Sequence, residues 1–507
     1  MAQTIALSLV SHTNVGKTTL ARTLLGRDVG VVRDQAHVTE AAEAHTMIET
    51  ADGDRMLLWD TPGFGDSARL ARRLAASSEP IGWFLGQVWD RFRDRAFWSS
   101  QQAVRNVRDG ADLVLYLVNA SELPEGPGYL GSEMQVLQWI GKPVVVLLNQ
   151  LGPPRTPPEE AAEVQAWRDR LAAVPVVRAV LPLDAFARCW VQEATLLRTV
   201  QSLLPEPRRT ACARLVDAWI ERRRSVFEAS MGVLAEVLAR AAADREPLPD
   251  SGVFGRLREA GAALGTLRGA RTDADDAAPG RRRAMQLLAE RLDAEVRAGT
   301  ARLIGLHELE GRASTSEVLE RVAAHYTVSE RLDEARAAVL GGVVTGALAG
   351  LKADLATGGL SFGAGMLTGG IVGALGAFGL ARGYNIVRGA QIPSVTWSEA
   401  ALDELAVTAL LGYLAVAHYG RGRGDWAESE YPPHWRGVVE AVLAERRAAF
   451  EPLRQPRTHA DAESMLKAAL HPALVGAMTE VLARLYPGSA VSAAANPQAG
   501  ATAGRGT

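Results

Sequence analysis

Residues 11–20 read SHTNVGKTTL and follow directly on the apolar run TIALSLV at 4–10. The run reads as a buried strand over 4–10, and the periodicity behind the loop as a helix over 18–26. Glycine in such a loop lets successive backbone N–H groups turn inward on phosphate oxygens. A lysine then meets the β- and γ-phosphates, and a hydroxyl meets a divalent cation. Gly16, Lys17 and Thr18 supply that half of the pattern, while Ser11 stands where its first glycine is usual. Serine is small, so the replacement costs a modest strain and does not block the loop. The helix N-terminus adds positive potential at the same place.

Working outward, Asp60-Thr61-Pro62-Gly63 closes a second apolar strand some forty residues on. An aspartate there can hold Mg²⁺ through a water, and a glycine amide can meet a γ-phosphate. A helix cap plus a turn accounts for either motif alone, but poorly for both at this spacing. The runs AHTMIET (44–50) and DRMLLWD (54–60) are joined by Asp52-Gly53, a two-residue hairpin signal. Further apolar strands are expected at 112–119, at 143–149, which ends in LNQLG, and at 175–183. Helices are expected between them, at 158–173 and up to about 203. Strands alternating with helices imply an α/β fold whose mostly parallel sheet is covered on both faces.

The chain has 507 residues, 48% apolar and 22% charged, which calls for two to four globular domains. A formal net charge of −3 predicts no bulk attraction to nucleic acid. The two cysteines, Cys189 and Cys212, have no metal-ligand spacing and fit a reducing, cytoplasmic compartment. The opening MAQTIALSLV lacks a basic n-region and reads as a strand rather than a signal peptide.

On SHTNVGKT, DTPG and LNQLG, the N-terminal two fifths resembles a P-loop GTPase of the Ras-like fold, of the branch that includes the TrmE, Era and EngA proteins. The resemblance implies binding of GTP and GDP with Mg²⁺ as cofactor. Position by position, it places Ser11, Asn14, Val15, Gly16, Lys17, Thr18 and Thr19 around the phosphates, and Asn149, Gln150 and Ala185 at the base. Thr18 and Asp60 would serve the metal, completed by Thr39 from the switch, with Thr46 a weaker candidate because it falls in the next strand. Lys17, Thr39 and Gly63 would carry the catalytic contacts, and Asn14 corresponds to an asparagine that helps bind K⁺ in several relatives.

Two positions depart from that pattern. Phe64 stands where Ras has the glutamine that orients water, so turnover is expected to be slow, on the order of 10⁻³ s⁻¹ or below, unless a cation or an activating partner assists. Asn149-Gln150-Leu151-Gly152 replaces Asn-Lys-x-Asp. Losing the bidentate carboxylate could remove ~1–3 kcal/mol of discrimination, which leaves GTP against ATP open. Asp184, in PLDAF at 182–186, is a candidate substitute acceptor.

After the P-loop domain (1–204, with an aromatic helical insert over 67–109), LPEPRR at 204–209 reads as a boundary. In the insert, Ile81, Phe84, Leu85, Val88, Trp89 and Phe92 are expected on one helical face, with Trp83 and Phe97 opposite. Helical domains are expected over 205–336 and 384–487, and a disordered tail over 488–507. Between them, 337–383 carries glycines at three- and four-residue steps in two apolar segments split by Lys352 and Asp354. Such spacing suits close helix packing. The segment is read either as a re-entrant or interfacial hairpin at the inner face of the cytoplasmic membrane or as a hairpin buried in protein. Arg331, Arg336, Arg382 and Arg388 flank it and would keep both ends cytoplasmic. Some bacterial proteins join a GTPase of this branch to a C-terminal domain of uncharacterised function with such a segment, and this chain is similar to them. Three readings follow: a slow regulatory GTPase acting through an effector or a membrane, an ATP-using switch, and a non-hydrolysing scaffold or membrane-remodelling protein.

Overall fold

The computed structural model describes residues 2–13, 15–26, 43–64, 67–86, 95–151, 155–185, 189–247, 279–309, 382–383, 394–419, 432–455 and 461–489. Six strands form one sheet: β1 (Thr4–Ser11), β2 (Glu43–Glu49), β3 (Arg55–Asp60), β4 (Leu113–Asn119), β5 (Val144–Asn149) and β6 (Val177–Pro182), in the order β2-β3-β1-β4-β5-β6. All neighbours are parallel except β2, which returns antiparallel along β3 through the expected turn, with Gly53 at φ 84°. The register sets Leu9 beside Asp60 and Asn119 beside Asn149, so the carboxyl ends of β1, β3, β4 and β5 share one edge. That edge of a parallel sheet is where ligands bind in α/β folds.

The continuous apolar strands bury both faces. Leu7, Leu9, Leu115 and Leu117 point toward α1 (Lys17–Leu25) and α7 (Trp190–Leu203). Val10, Val114, Tyr116, Val118 and Val146 point the other way, under α2 (Ser67–Ala75), α3 (Pro80–Gly86), α4 (Arg95–Arg105), α5 (Leu130–Ile140) and α6 (Pro157–Leu171). β2, at the edge, is the least buried strand of the sheet's first half.

The insert over 67–109 is helical as expected, but as several elements. It is broken into α2, α3 and α4, and a π-helical turn over Asn106–Gly110 follows. Pro80 lacks a backbone donor and restricts the residue before it, so the chain restarts there as a new helix. Because α4 is separate, Phe97 is not on the side opposite Phe84. It is buried and meets the Phe84 ring edge-on at 6.5 Å, while the Arg69 and Arg73 guanidiniums lie over its face. Trp83 does stay partly exposed, and Ile81 and Phe84 are buried as expected. Val88, Trp89 and Phe92 lie outside the described residues.

Helix α8 (Glu206–Ala243) starts where the sequence suggested a boundary and runs for 38 residues without a break. Cys212, Leu215, Val216 and Trp219 in its first half complete the core under the sheet. Phe227, Met231, Leu234 and Leu238 in its second half join a separate helical core. Arg214 pins the first half to the sheet: its Nε and Nη2 lie 2.8 and 2.6 Å from Asp54 Oδ2, whose other oxygen accepts Gln3 N at 2.8 Å. Arg208 pairs with Asp112, which also caps Ala6 N.

The helical core adds α9 (Pro279–Leu306), α10 (Glu399–Ala417), α11 (Pro433–Glu445), a 3₁₀ turn over Arg447–Leu453 and α12 (Ala462–Leu485). α10 is long and apolar enough to cross a membrane by length and composition. Leu410, Leu411, Tyr413 and Leu414 are nevertheless buried against α8, α11 and α12, as in the central helix of a globular core. A small sheet of β7 (Arg245–Pro247), β8 (Arg382–Gly383) and β9 (Ser394–Thr396) was not expected, since two or three residues give no readable period. Apart from Arg382 and Gly383, the glycine-rich segment 337–383 lies outside the described residues, as do Arg331, Arg336, Arg388 and the chain beyond 489.

Candidate nucleotide site

At the carboxyl edge of the sheet, β1 hands over to α1 through the loop 12–16. Gly16 sits at φ 90°, and a β-carbon there would lie 2.8 Å from Asn149 Nδ2, so both conformation and space require glycine. Lys17 opens α1 with a side chain only 8% exposed. Its ammonium donates to Ser11 Oγ at 3.0 Å and to His12 O at 3.4 Å. The serine that replaces the first glycine therefore supplies a resting partner for the lysine. Burial pushes the Lys17 pKa down, and the nearby Asp60 and Glu133 carboxylates pull it back up.

Thr18 Oγ1 donates to Asp60 Oδ2 at 2.6 Å. The other Asp60 oxygen is buried with no hydrogen-bond partner. Burial raises the Asp60 pKa against the pull of Thr18 and Lys17. A hydroxyl, a buried carboxylate and one orphaned carboxylate oxygen are hard oxygen donors, a set that fits Mg²⁺ completed by phosphate oxygens and water. Gly63 closes the group: a β-carbon there would lie 3.0 Å from Lys17 Nζ and 3.1 Å from Thr13 Cγ2. The two motifs read separately in the sequence thus meet at one point.

Phe64 N donates to Ser11 O at 3.0 Å, forming a short parallel bridge with His12. Its ring is fully buried in the core beneath α2 and α3. It offers no group to water, as its chemistry implied. Asn14 and Thr39, expected at the potassium and magnesium sites, lie outside the described residues. Thr46 is paired with Leu57 inside the β2–β3 ladder.

At the far end, Asn149 is fully buried and fastens three segments. Its Nδ2 donates to Val15 O at 2.7 Å, and its Oδ1 accepts Ala185 N at 2.8 Å. Thr23 Oγ1 donates to Ala185 O at 2.8 Å, which ties α1 to the same loop. Gln150 adopts φ 58° and lays its amide beside Gly16. Asp184 Oδ2 accepts Leu151 N at 2.8 Å. Val15 and Thr19 are buried supports of the loop, and Gly152 lies outside the described residues.

The sequence reading missed a buried polar cluster beneath the loop. Glu133 on α5 is fully buried, with Oε1 taking His12 Nδ1–H at 2.7 Å and Oε2 taking the Tyr116 hydroxyl at 2.6 Å. The His12 ring also stacks on Tyr129, 4.1 Å between centroids at 9°. One signal was available: Leu130, Glu133, Met134 and Leu137 share a helix face at i, i+3, i+4, i+7, and a lone glutamate on an apolar stripe needs a partner.

A mostly parallel sheet with a glycine-lysine-threonine loop after its first strand and a buried aspartate at the end of its third defines a Ras-like P-loop domain. Residues 6–150 match the family described as 50S ribosome-binding GTPase. Residues 168–484, more than half of the chain, match the family described as Domain of unknown function (DUF3482), and the chain belongs to it. It is thus a P-loop GTPase domain of the TrmE/Era/EngA-like branch followed by a DUF3482 domain. The chain is similar to GTPase Era of Lactobacillus delbrueckii subsp. bulgaricus, 27% identical over 212 residues, 42% of this chain and 58% of that protein. It is also similar to GTPase Der of Deinococcus deserti, 26% identical over 153 residues, 29% of this chain and 27% of that protein. A crystal structure of Era in complex with MgGDPNP and nucleotides 1506–1542 of 16S ribosomal RNA aligns with TM-score 0.30 and 20% identity, covering 41% of this chain and 58% of that one. The chain spans less than two thirds of each of these relatives.

Proposed function

We propose that this protein is a regulatory GTPase in which GTP and Mg²⁺ set the switch segments and slow hydrolysis releases them. The observation that carries this reading is the Thr18–Asp60 pair, with its orphaned carboxylate oxygen, beside Lys17 and Gly63. On nucleotide binding, the Lys17 ammonium exchanges Ser11 Oγ and His12 O for β- and γ-phosphate oxygens. Thr18 and Asp60 would hold Mg²⁺, whose charge would offset that developing on the transferring phosphoryl group. The Gly63 N–H, at the head of the second switch, meets the γ-phosphate. Phe64 leaves water unoriented, so turnover depends on K⁺ at Asn14, on Thr39, or on a partner supplying charge in trans.

The change is passed to the helical region through α8, which is pinned to the sheet by Arg214 and Arg208 and enters the second core without a break. The glycine spacing of 337–383 supports peripheral or re-entrant association with the inner face of the cytoplasmic membrane. Pelleting with vesicles, with and without 337–383, tests that part separately. The buried Phe64 favours a second reading, a nucleotide-binding scaffold that does not hydrolyse. Absence of phosphate release with Mg²⁺ and K⁺, even with lipid or lysate added, would select it.

The central experiment is Lys17→Ala, read by equilibrium binding of a fluorescent GTP analogue and by phosphate release. Both are expected to be lost. A variant that binds and hydrolyses like the wild type ends the proposal.

A further inference from the structure

The base end of the site lacks its usual reader, because Gly152 has no side chain with which to accept a hydrogen bond. Guanine presents two donors on its Watson–Crick edge, N1–H and the 2-amino group. Adenine presents a bare N1 acceptor and a C2–H at the same places. An anionic acceptor facing that edge attracts one purine and repels the other.

One carboxylate is carried to this position by the sheet. β6 runs parallel to β5 with Pro182 beside Leu148, and Leu183 N donates to Leu148 O at 3.0 Å. The next residue, Asp184, is therefore set alongside Asn149–Leu151. Its Oδ2 accepts Leu151 N at 2.8 Å, while Ala185 N donates back to Asn149 Oδ1 at 2.8 Å. The two loops clasp each other by one side-chain bond in each direction. Asn149 fixes the clasp to the phosphate loop through Val15 O. The Asp184 side chain is thus held against the backbone of Leu151, the residue before position 152, and is only 6% exposed. A carboxylate can accept several hydrogen bonds, so the bond from Leu151 N does not by itself preclude a ligand.

We propose that Asp184 determines the base: its carboxylate, on the loop after β6, takes the N1–H and 2-amino hydrogens of guanine in place of an acceptor at position 152. The inference rests on the nucleotide site proposed above. It narrows that site to purines carrying both donors, and it moves the specificity determinant from one loop to its neighbour.

The test is competition binding by the full-length chain with Mg²⁺, using GTP, ITP, ATP and XTP against wild type, Asp184→Ala and Asp184→Asn. ITP keeps N1–H but lacks the 2-amino group, so the GTP:ITP ratio reads the contact independently of the phosphates. Wild type is expected to favour GTP over ITP and ATP by about tenfold or more. In Asp184→Ala the GTP:ITP ratio should fall to about one, with ITP itself also weakened because its N1–H contact is lost. Asp184→Asn keeps an oxygen for Leu151 N but offers a donor as well, which suits the 2-oxo group of xanthine, so the XTP:GTP ratio should rise. Because the asparagine retains the brace, it reports even if the alanine variant folds poorly. Wild-type ratios in both variants would make Asp184 a loop brace only and overturn the proposal, as would a wild type indifferent to the base. A wild type that binds none of the four nucleotides removes the nucleotide site itself, a result distinct from either of those.

Discussion

The two halves of the molecule use polar side chains in opposite ways. In the α/β half, Ser11, Lys17, Asp60, Glu133, Asn149 and Asp184 are buried polar groups gathered toward one edge of the sheet. In the helical half, among the described residues, only Ser230, Asp293, His418 and Ser489 are comparably buried. Charges there ring the core instead: Glu236 with Arg240, Arg302 and Lys467, and Arg484 with Glu445 and Glu480. Buried polar groups must be paired or they cost stability, so concentrating them in one place marks where chemistry is held. Ion pairs at a rim fix helix against helix at little cost and little gain. Substitutions in the two halves should therefore differ in size, and variants at four positions test this.

The largest effect is expected at Glu133. Replacing it with alanine strips the His12 imidazole and the buried Tyr116 hydroxyl of their partner at once. The cost should be about 3–5 kcal/mol, read by urea unfolding. Glu133→Gln keeps one acceptor and should lose less. If alanine costs under about 1 kcal/mol, the cluster is not integral to the fold and the contrast between the halves weakens.

Gly16→Ala comes next. Alanine at φ 90° is strained, and its β-carbon would press on Asn149 Nδ2. The loop must shift away from the phosphates, lowering nucleotide affinity about 100-fold, on the order of 3 kcal/mol, by titration calorimetry. Asn149→Ala follows at about 2 kcal/mol of stability, because Val15 O and Ala185 N lose their partner in a buried site. A loss confined to stability, with nucleotide affinity untouched, would show that the Asn149 links hold the fold and not the ligand.

Most of the sheet was legible because its signals are short-range. Apolar runs marked β1, β3, β4, β5 and β6, Asp52-Gly53 marked the hairpin, and Gly16-Lys17-Thr18 with Asp60–Gly63 marked the phosphate end. What escaped depends on distance along the chain. His12 and Glu133 are 121 positions apart, and neither belongs to a motif that announces the other. Phe97 was misplaced because one periodic pattern was read from Ile81 to Phe97, although these residues belong to two separate helices, α3 and α4. The span of α8 across two cores was hidden for a related reason. Its buried face changes partners near Trp219–Phe227, yet a helix face looks the same in sequence whichever core it meets.

The smallest effect is expected in the helical half. Lys467 and Arg302, each hydrogen-bonded to Glu236, hold its carboxyl down from 4.5 to about 2. A carboxyl depressed in the folded state stabilises it above the unfolded value and loses that contribution as pH falls through the folded one. Stability from this cluster is therefore full above about pH 4.5 and drains away toward pH 2. The basic partners are nearly half exposed, so the neutral-pH contribution should stay near 1 kcal/mol or below. Glu236→Gln is expected to unfold at slightly lower urea at pH 7, with the gap to wild type closing as pH approaches 2. A loss at pH 7 as large as that of Glu133→Ala would mean that the rim pairs are as costly to break as the buried cluster, and the division between the halves would not hold.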